Sequence, residues 1–145
     1  MKLTPFVDEN LVCFLEASSK EDALRQIVDQ LYRCDKIDNK EQFLSAVIER
    51  EKLVSTGIGM GVAIPHVKSS FINQFFISVV LLKKGVDWQA LDDNPVKLLF
   101  LIGGPADKQT QYLQLLSSLT SLIKDQVTRR RFFEAKKPDQ ILSLF

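Results

Sequence analysis

The chain has one histidine, and His66 stands directly behind Pro65 at the end of a stretch that carries Gly57, Gly59 and Gly61. Imidazole can act as a neutral nucleophile near pH 7, and closely spaced glycines let several backbone N–H groups converge on an anion. Together they point to phosphate carried on a histidine. Ser55 and Thr56 add hydroxyls ahead of the glycines, and Arg50 adds a guanidinium suited to bidentate contact with a phosphoryl group. The expected phosphate-binding loop therefore comprises Ser55, Thr56, Gly57, Ile58, Gly59 and Gly61, with His66 as acceptor and Arg50 as charge stabiliser.

Transfer of a phosphoryl group between two carriers is mostly positioning and charge stabilisation, so such a site must be open to a partner and must not hold the phosphate too tightly. A backbone nest and one arginine meet that demand without a metal or cofactor. Each feature also has a plainer reading. A histidine after proline can be a half-exposed loop residue, consecutive glycines can be a turn, and Arg50 at a helix C-terminus can complement the dipole for about 0.3–1 kcal/mol. The same residues would also suit an interaction module whose loop binds an anion and whose histidine is never phosphorylated.

The elements around this stretch follow from periodicity. Leu11 to Leu15 reads as a short strand. Ser18 with Glu21, and Asp38 with Glu41, read as capping boxes. They open two amphipathic helices marked by Ala23, Leu24, Ile27, Val28, Leu31 and Tyr32, then by Phe43, Leu44, Val47 and Ile48. Ser55 to Gly61 shows neither helical nor alternating pattern and is expected to be a tight loop, with a brief strand over Gly61 to Ile64. Pro65 biases Ile64 towards extended backbone, so the chain should reach His66 as a strand end. Phe75 to Leu82 and Val96 to Ile102 read as strands covered on both faces, with a turn at Lys83-Lys84-Gly85 and a breaker at Gly103-Gly104-Pro105. A long helix with Leu113, Leu116, Leu119, Leu122 and Ile123, then two short ones over Val127 to Ala135 and Asp139 to Phe145, close the chain. The order predicts an α/β single-domain sandwich over residues 1–145, with a central mixed β-sheet flanked by helices on both sides.

Composition narrows the function classes. A formal net charge of +1 leaves no broad electrostatic footprint for nucleic acid, and Arg129-Arg130-Arg131 reads as a solvated helix face. The apolar runs are far shorter than the roughly 20 residues of a membrane span, so no membrane insertion is expected. The N-terminal residues carry Lys2, Pro5 and Asp8 before any signal-like apolar run, which predicts a cytoplasmic protein. Cys13 and Cys34 read as thiols in a reducing compartment, and one histidine cannot complete a zinc pattern. Phe71, Phe75, Phe76, Trp88 and Phe100 could rim the site, although core packing is the commoner fate of aromatics. Asp92, Asp93 and Asp107 suit turns and caps better than a metal.

Arg50-Glu51, Ser55-Thr56-Gly57-Ile58-Gly59, Gly61-Val62-Ala63-Ile64-Pro65-His66 and Lys68 resemble the signature of enzyme IIA domains of the fructose/mannitol class of the phosphoenolpyruvate-dependent phosphotransferase system. The resemblance continues through Asp92, Asn94, Pro95, Val96, Leu98, Leu99 and Phe100, then Pro105-Ala106-Asp107 and the leucine-spaced helix, and is nearest in wording to the nitrogen-regulatory enzyme IIA branch. It implies that His66 is phosphorylated on Nε2 by a histidine phosphocarrier protein (HPr- or NPr-like) and that Arg50 assists. It further implies that the recipient is a regulatory target protein or, in sugar uptake, a IIB domain. Many such relatives place a second histidine where Tyr112 stands here, glycine at Val67 and asparagine at Met60. Tyrosine can hydrogen-bond there but cannot carry positive charge at neutral pH.

Overall fold

The apolar runs do become the centre of the molecule. In a computed structural model that describes residues 1–145, strands β1 (Val12–Leu15), β5 (Phe76–Val86) and β6 (Val96–Pro105) lie side by side. Strands β2 (Gly57–Gly59), β3 (Val62–Ala63) and β4 (His66–Ser69) complete a six-stranded sheet ordered β1-β5-β6-β3-β2, with β4 also on β6. The pairing is mixed. β1–β5, β3–β6 and β4–β6 are parallel, whereas β5–β6 and β2–β3 are antiparallel.

Alternate residues of β6 face opposite cores. Leu99 and Leu101 pack beneath helices α1 (Lys20–Arg33) and α2 (Lys40–Leu53). Leu98, Phe100 and Ile102 pack beneath α3 (Gln109–Lys124), α4 (Gln126–Glu134) and α5 (Pro138–Leu142). This is the α/β sandwich, with helices on both faces of a mixed sheet. No helix is long and apolar enough to cross a membrane.

Several boundaries differ from the sequence expectation, each for a local reason. The two capping signals each lie one residue later. Ser19 Oγ accepts the Asp22 N–H at 3.0 Å, and Asn39 Oδ1 accepts the Gln42 N–H at 3.0 Å. Ser18 beside Ser19 and Asp38 beside Asn39 make the pattern ambiguous by one position. Lys83, Lys84 and Gly85 do not form a turn but continue β5, exposed where its register against β6 shifts between Leu81 and Val86. Gly103 and Gly104 do not break β6. A Cβ there would lie 2.3 Å from the Phe76 ring and 2.1 Å from the Phe75 ring, so these glycines make room for aromatics laid across the strand.

The stretch expected as a loop, Ser55 to Gly61, contains a strand: Gly57–Gly59 folds back on β3 as a hairpin, with Met60 and Gly61 at its turn. Glycines hide this because they contribute no hydrophobic alternation. Met60 has φ 61° between Gly59 at 94° and Gly61 at 75°, in the left-handed region that asparagine tolerates better than methionine. The Asp92 carboxylate accepts the Met60 N–H at 3.0 Å and holds the turn.

A candidate phosphoacceptor site at His66

β3 and β4 run along the same edge of β6 and are interrupted at Ile64-Pro65. Proline has no N–H to give to a ladder, so the track breaks there, and His66 opens β4 rather than ending the strand before it. The ladder resumes at once, since the Ile102 N–H donates to the Pro65 carbonyl at 2.9 Å and His66 pairs with Ile102. The imidazole is thereby presented half-buried from a fixed backbone.

Both ring nitrogens are engaged. Nδ1 lies 3.2 Å from the Ile64 carbonyl and can only donate there, which places the proton on Nδ1 and the lone pair on Nε2. Arg50 Nε–H donates to that lone pair at 3.1 Å. The two assignments agree that the lone pair is on Nε2. Burial is the largest influence on the imidazole and pushes its pKa below the ordinary 6.5. The Ile64 carbonyl and Glu51 oppose that shift, while Arg50 and Lys68 add to it. At neutral pH the ring is uncharged and nucleophilic.

Arg50 comes from the last turn of α2, and its Nη1 also donates to the Val54 carbonyl at 3.1 Å, just past the helix end. The capping reading and the phosphate reading of this residue therefore coexist. Tyr112, in the first turn of α3, brings its ring to 5.6 Å from the imidazole, centroid to centroid, at 45°. Burial raises its hydroxyl pKa, with Arg50 opposing. Lys68 Nζ sits 4.4 Å from the centre of the Tyr112 ring and donates to Gln109 Oε1, so a second cation flanks the histidine.

The glycine-rich stretch does not converge on this point. Val62 pairs with Leu98 and His66 with Ile102, four residues along β6, which places the Gly59–Val62 end of the hairpin about 13 Å from the His66 backbone at the usual strand rise. Three of its N–H groups already have acceptors: Thr56 donates to Glu51, Gly57 to Ser55 Oγ and Met60 to Asp92. Gly59 and Gly61 face Asp92 and Phe133, and Ile58 packs against the α3–α5 core. The expected nest over Gly57, Ile58, Gly59 and Gly61 is thus a hairpin tied to the 90–95 segment. Ser55 and Thr56 stay near the site, but their hydroxyls point to Trp88 and Glu51. The cation in direct contact with Nε2 is Arg50, with Lys68 against Tyr112 beside it.

Trp88 and Phe100 are fully buried and Phe75 and Phe76 nearly so, which makes them core rather than rim. Arg129 caps α3, donating to the Ile123 and Lys124 carbonyls at 2.9 and 3.3 Å. Two residues near the site escaped sequence reasoning. Lys20 gave no signal, because it meets Glu51 only through the packing of α1 on α2, and Glu51 stood in the quoted motif without a role. The five-residue spacing of Glu51 and Thr56 across a helix end was the one available clue.

The molecule is an α/β sandwich, a six-stranded mixed sheet between two helical layers, with one histidine and one arginine paired at a strand opening. The family described as "Phosphoenolpyruvate-dependent sugar phosphotransferase system, EIIA 2" matches residues 5–145, and the chain belongs to it as a phosphocarrier domain of the enzyme IIA type. The chain is 30% identical over 145 residues to the "PTS system fructose-specific EIIABC component" of Bacillus subtilis (strain 168), covering 99% of this chain and 23% of that protein. It is 32% identical over 124 residues to the "PTS system fructose-specific EIIA component" of Haloferax volcanii, covering 86% of this chain and 80% of that one. In fold it is similar to the crystal structure of nitrogen regulatory protein IIA-Ntr from Neisseria meningitidis, with TM-score 0.91, 23% identity and 97% of each chain covered.

Proposed function

We propose that residues 1–145 act as one enzyme IIA domain in which Nε2 of His66 accepts a phosphoryl group from a histidine phosphocarrier protein in the cytoplasm. The observation that carries this reading is the pair of hydrogen bonds on the imidazole: Nδ1–H to the Ile64 carbonyl and Arg50 Nε–H to the Nε2 lone pair. In the transfer the Nε2 lone pair forms the new N–P bond while the donor's N–P bond breaks, and the donor nitrogen takes back its electron pair. Arg50 Nε–H, released from the lone pair, turns to the phosphoryl oxygens, and Nδ1 keeps its proton on Ile64. Tyr112 shields the imidazole in the place where relatives have a second histidine, without adding charge.

Two destinations for the phosphate have support. The fructose-specific relatives favour onward transfer to a IIB domain in sugar uptake. The motif wording and the fold likeness to IIA-Ntr favour a regulatory target read by phosphorylation state. Incubation with labelled phosphoenolpyruvate, enzyme I and a histidine phosphocarrier protein tests the common step. Acid-labile label on the wild type that vanishes in His66→Ala is expected; an unlabelled wild type would leave an interaction module whose histidine is never phosphorylated as the better reading. A chase with IIB domains then separates the destinations.

A further inference from the structure

Beneath Arg50 and His66 lies a set of buried polar side chains with no part in the chemistry above. The Glu51 side chain is only 4% exposed. Its Oε1 accepts from Lys20 Nζ at 2.7 Å and from the Thr56 N–H at 3.3 Å, and its Oε2 accepts the Thr56 hydroxyl. Thr56 Oγ1 in turn accepts Trp88 Nε1–H at 3.3 Å, while the Trp88 carbonyl accepts the Ser55 hydroxyl. Lys20 Nζ also sits 5.2 Å from the centre of the Trp88 ring. A buried carboxylate adds little to stability over a well-packed apolar side chain, because desolvation offsets the attraction of its partner. The bonds show instead what it holds in place.

Glu51 follows Arg50 on α2 and fastens the segment that folds back over the helix end. Within that segment the Val54 carbonyl accepts Arg50 Nη1–H, and the Thr56 carbonyl accepts the Ile64 N–H at 3.0 Å. The Ile64 carbonyl accepts His66 Nδ1–H. One carboxylate thus stands behind both partners of the imidazole. We propose that Glu51, paired with Lys20, is a positioning residue: by pinning Thr56 it aims the Arg50 guanidinium and holds His66 in the tautomer that leaves the lone pair on Nε2. The catalytic half of this inference rests on the proposed phosphoryl acceptance, whereas the tautomer half stands on the unphosphorylated protein.

The single histidine makes the test direct, because ring nitrogen-15 signals in a titration belong to His66 alone. The wild type should show the neutral Nδ1–H tautomer. Glu51→Ala and the milder Thr56→Val should both populate Nε2–H and slow phosphoryl acceptance by about 10- to 100-fold, through kcat rather than the KM for the donor. The double variant Lys20→Met with Glu51→Gln removes both charges but retains acceptor and donor atoms for Thr56, so it should restore the tautomer and most of the rate. Wild-type tautomer and rate in Thr56→Val, or in a folded Glu51→Ala, would overturn the inference. A double variant as impaired as Glu51→Ala would overturn it too, since charge and not placement would then matter. Failure of the wild type to accept phosphate would sink the functional reading, while the nitrogen signals would still judge Glu51.

Discussion

Removal of the Arg50 guanidinium sets two effects against each other. Arg50 Nε–H occupies the Nε2 lone pair at 3.1 Å, so Arg50→Ala frees the nucleophile from one hydrogen bond, a gain of about 0.5–1.5 kcal/mol. It also removes a positive neighbour that lowers the imidazole pKa, which makes the ring more basic. Against this, the transition state loses a preorganised cation aimed at the phosphoryl oxygens, worth roughly 2.7–4 kcal/mol by analogy with loss of one oxyanion donor. The loss wins. A net barrier increase of about 2–3 kcal/mol corresponds to a roughly 30- to 150-fold slower acceptance. Arg50→Lys keeps a point charge but not two directed donors, and should fall between, at about tenfold. The assay is rapid-quench labelling from a phosphorylated histidine phosphocarrier protein at saturating donor, with circular dichroism to confirm the fold. An Arg50→Ala rate within threefold of wild type, or above it, would refute the balance, because the freed lone pair would then outweigh the lost charge.

Three further outcomes are expected. Burial lowers the His66 pKa below the unfolded value of 6.5, so as pH falls below 6.5 the unfolded chain binds a proton that the folded chain refuses. That contribution to stability is complete above 6.5 and lost towards the folded pKa; urea titrations over about pH 5–7.5 should show a shallower pH dependence in His66→Gln. Gly103→Ala would force a Cβ to 2.3 Å from the Phe76 ring, which also packs on Phe43, and should cost about 2–3 kcal/mol, a fall of about 5–10 °C in Tm by calorimetry. Cys13 is buried and its thiol is pushed up to about 11, mainly by burial, so iodoacetamide should alkylate half-buried Cys34 first and Cys13 only on unfolding. Mass spectrometry of peptides from briefly treated native protein would show equal labelling if that ordering were mistaken.

The linear chain by itself determined the features whose signals are local. Apolar runs at β5 and β6 and most of the α1 face were legible because their periodicity is set by backbone geometry, but Tyr32 is exposed, and α3 buries Tyr112, Leu115, Leu119 and Ile123 while leaving Leu113 in solvent. The pairing of His66 with Arg50 was legible because their chemistry is intrinsic to residue type and near in sequence, whereas Pro65 breaks the strand it was expected to carry to its end. Tyr112 was placed only through a family resemblance, since nothing in its own neighbourhood points to an imidazole many residues earlier. The tertiary structure decided the rest. Sheet register carried the glycines away from His66, and the N–H groups of Thr56, Gly57 and Met60 went to the Glu51, Ser55 and Asp92 side chains. Packing of α1 on α2 brought Lys20 to Glu51, and α3 set Tyr112 against the imidazole. The tautomer, the aim of the guanidinium and the buried carboxylate behind both arise where remote segments meet. No local pattern encodes such meetings, because strand pairing and helix packing choose the partners.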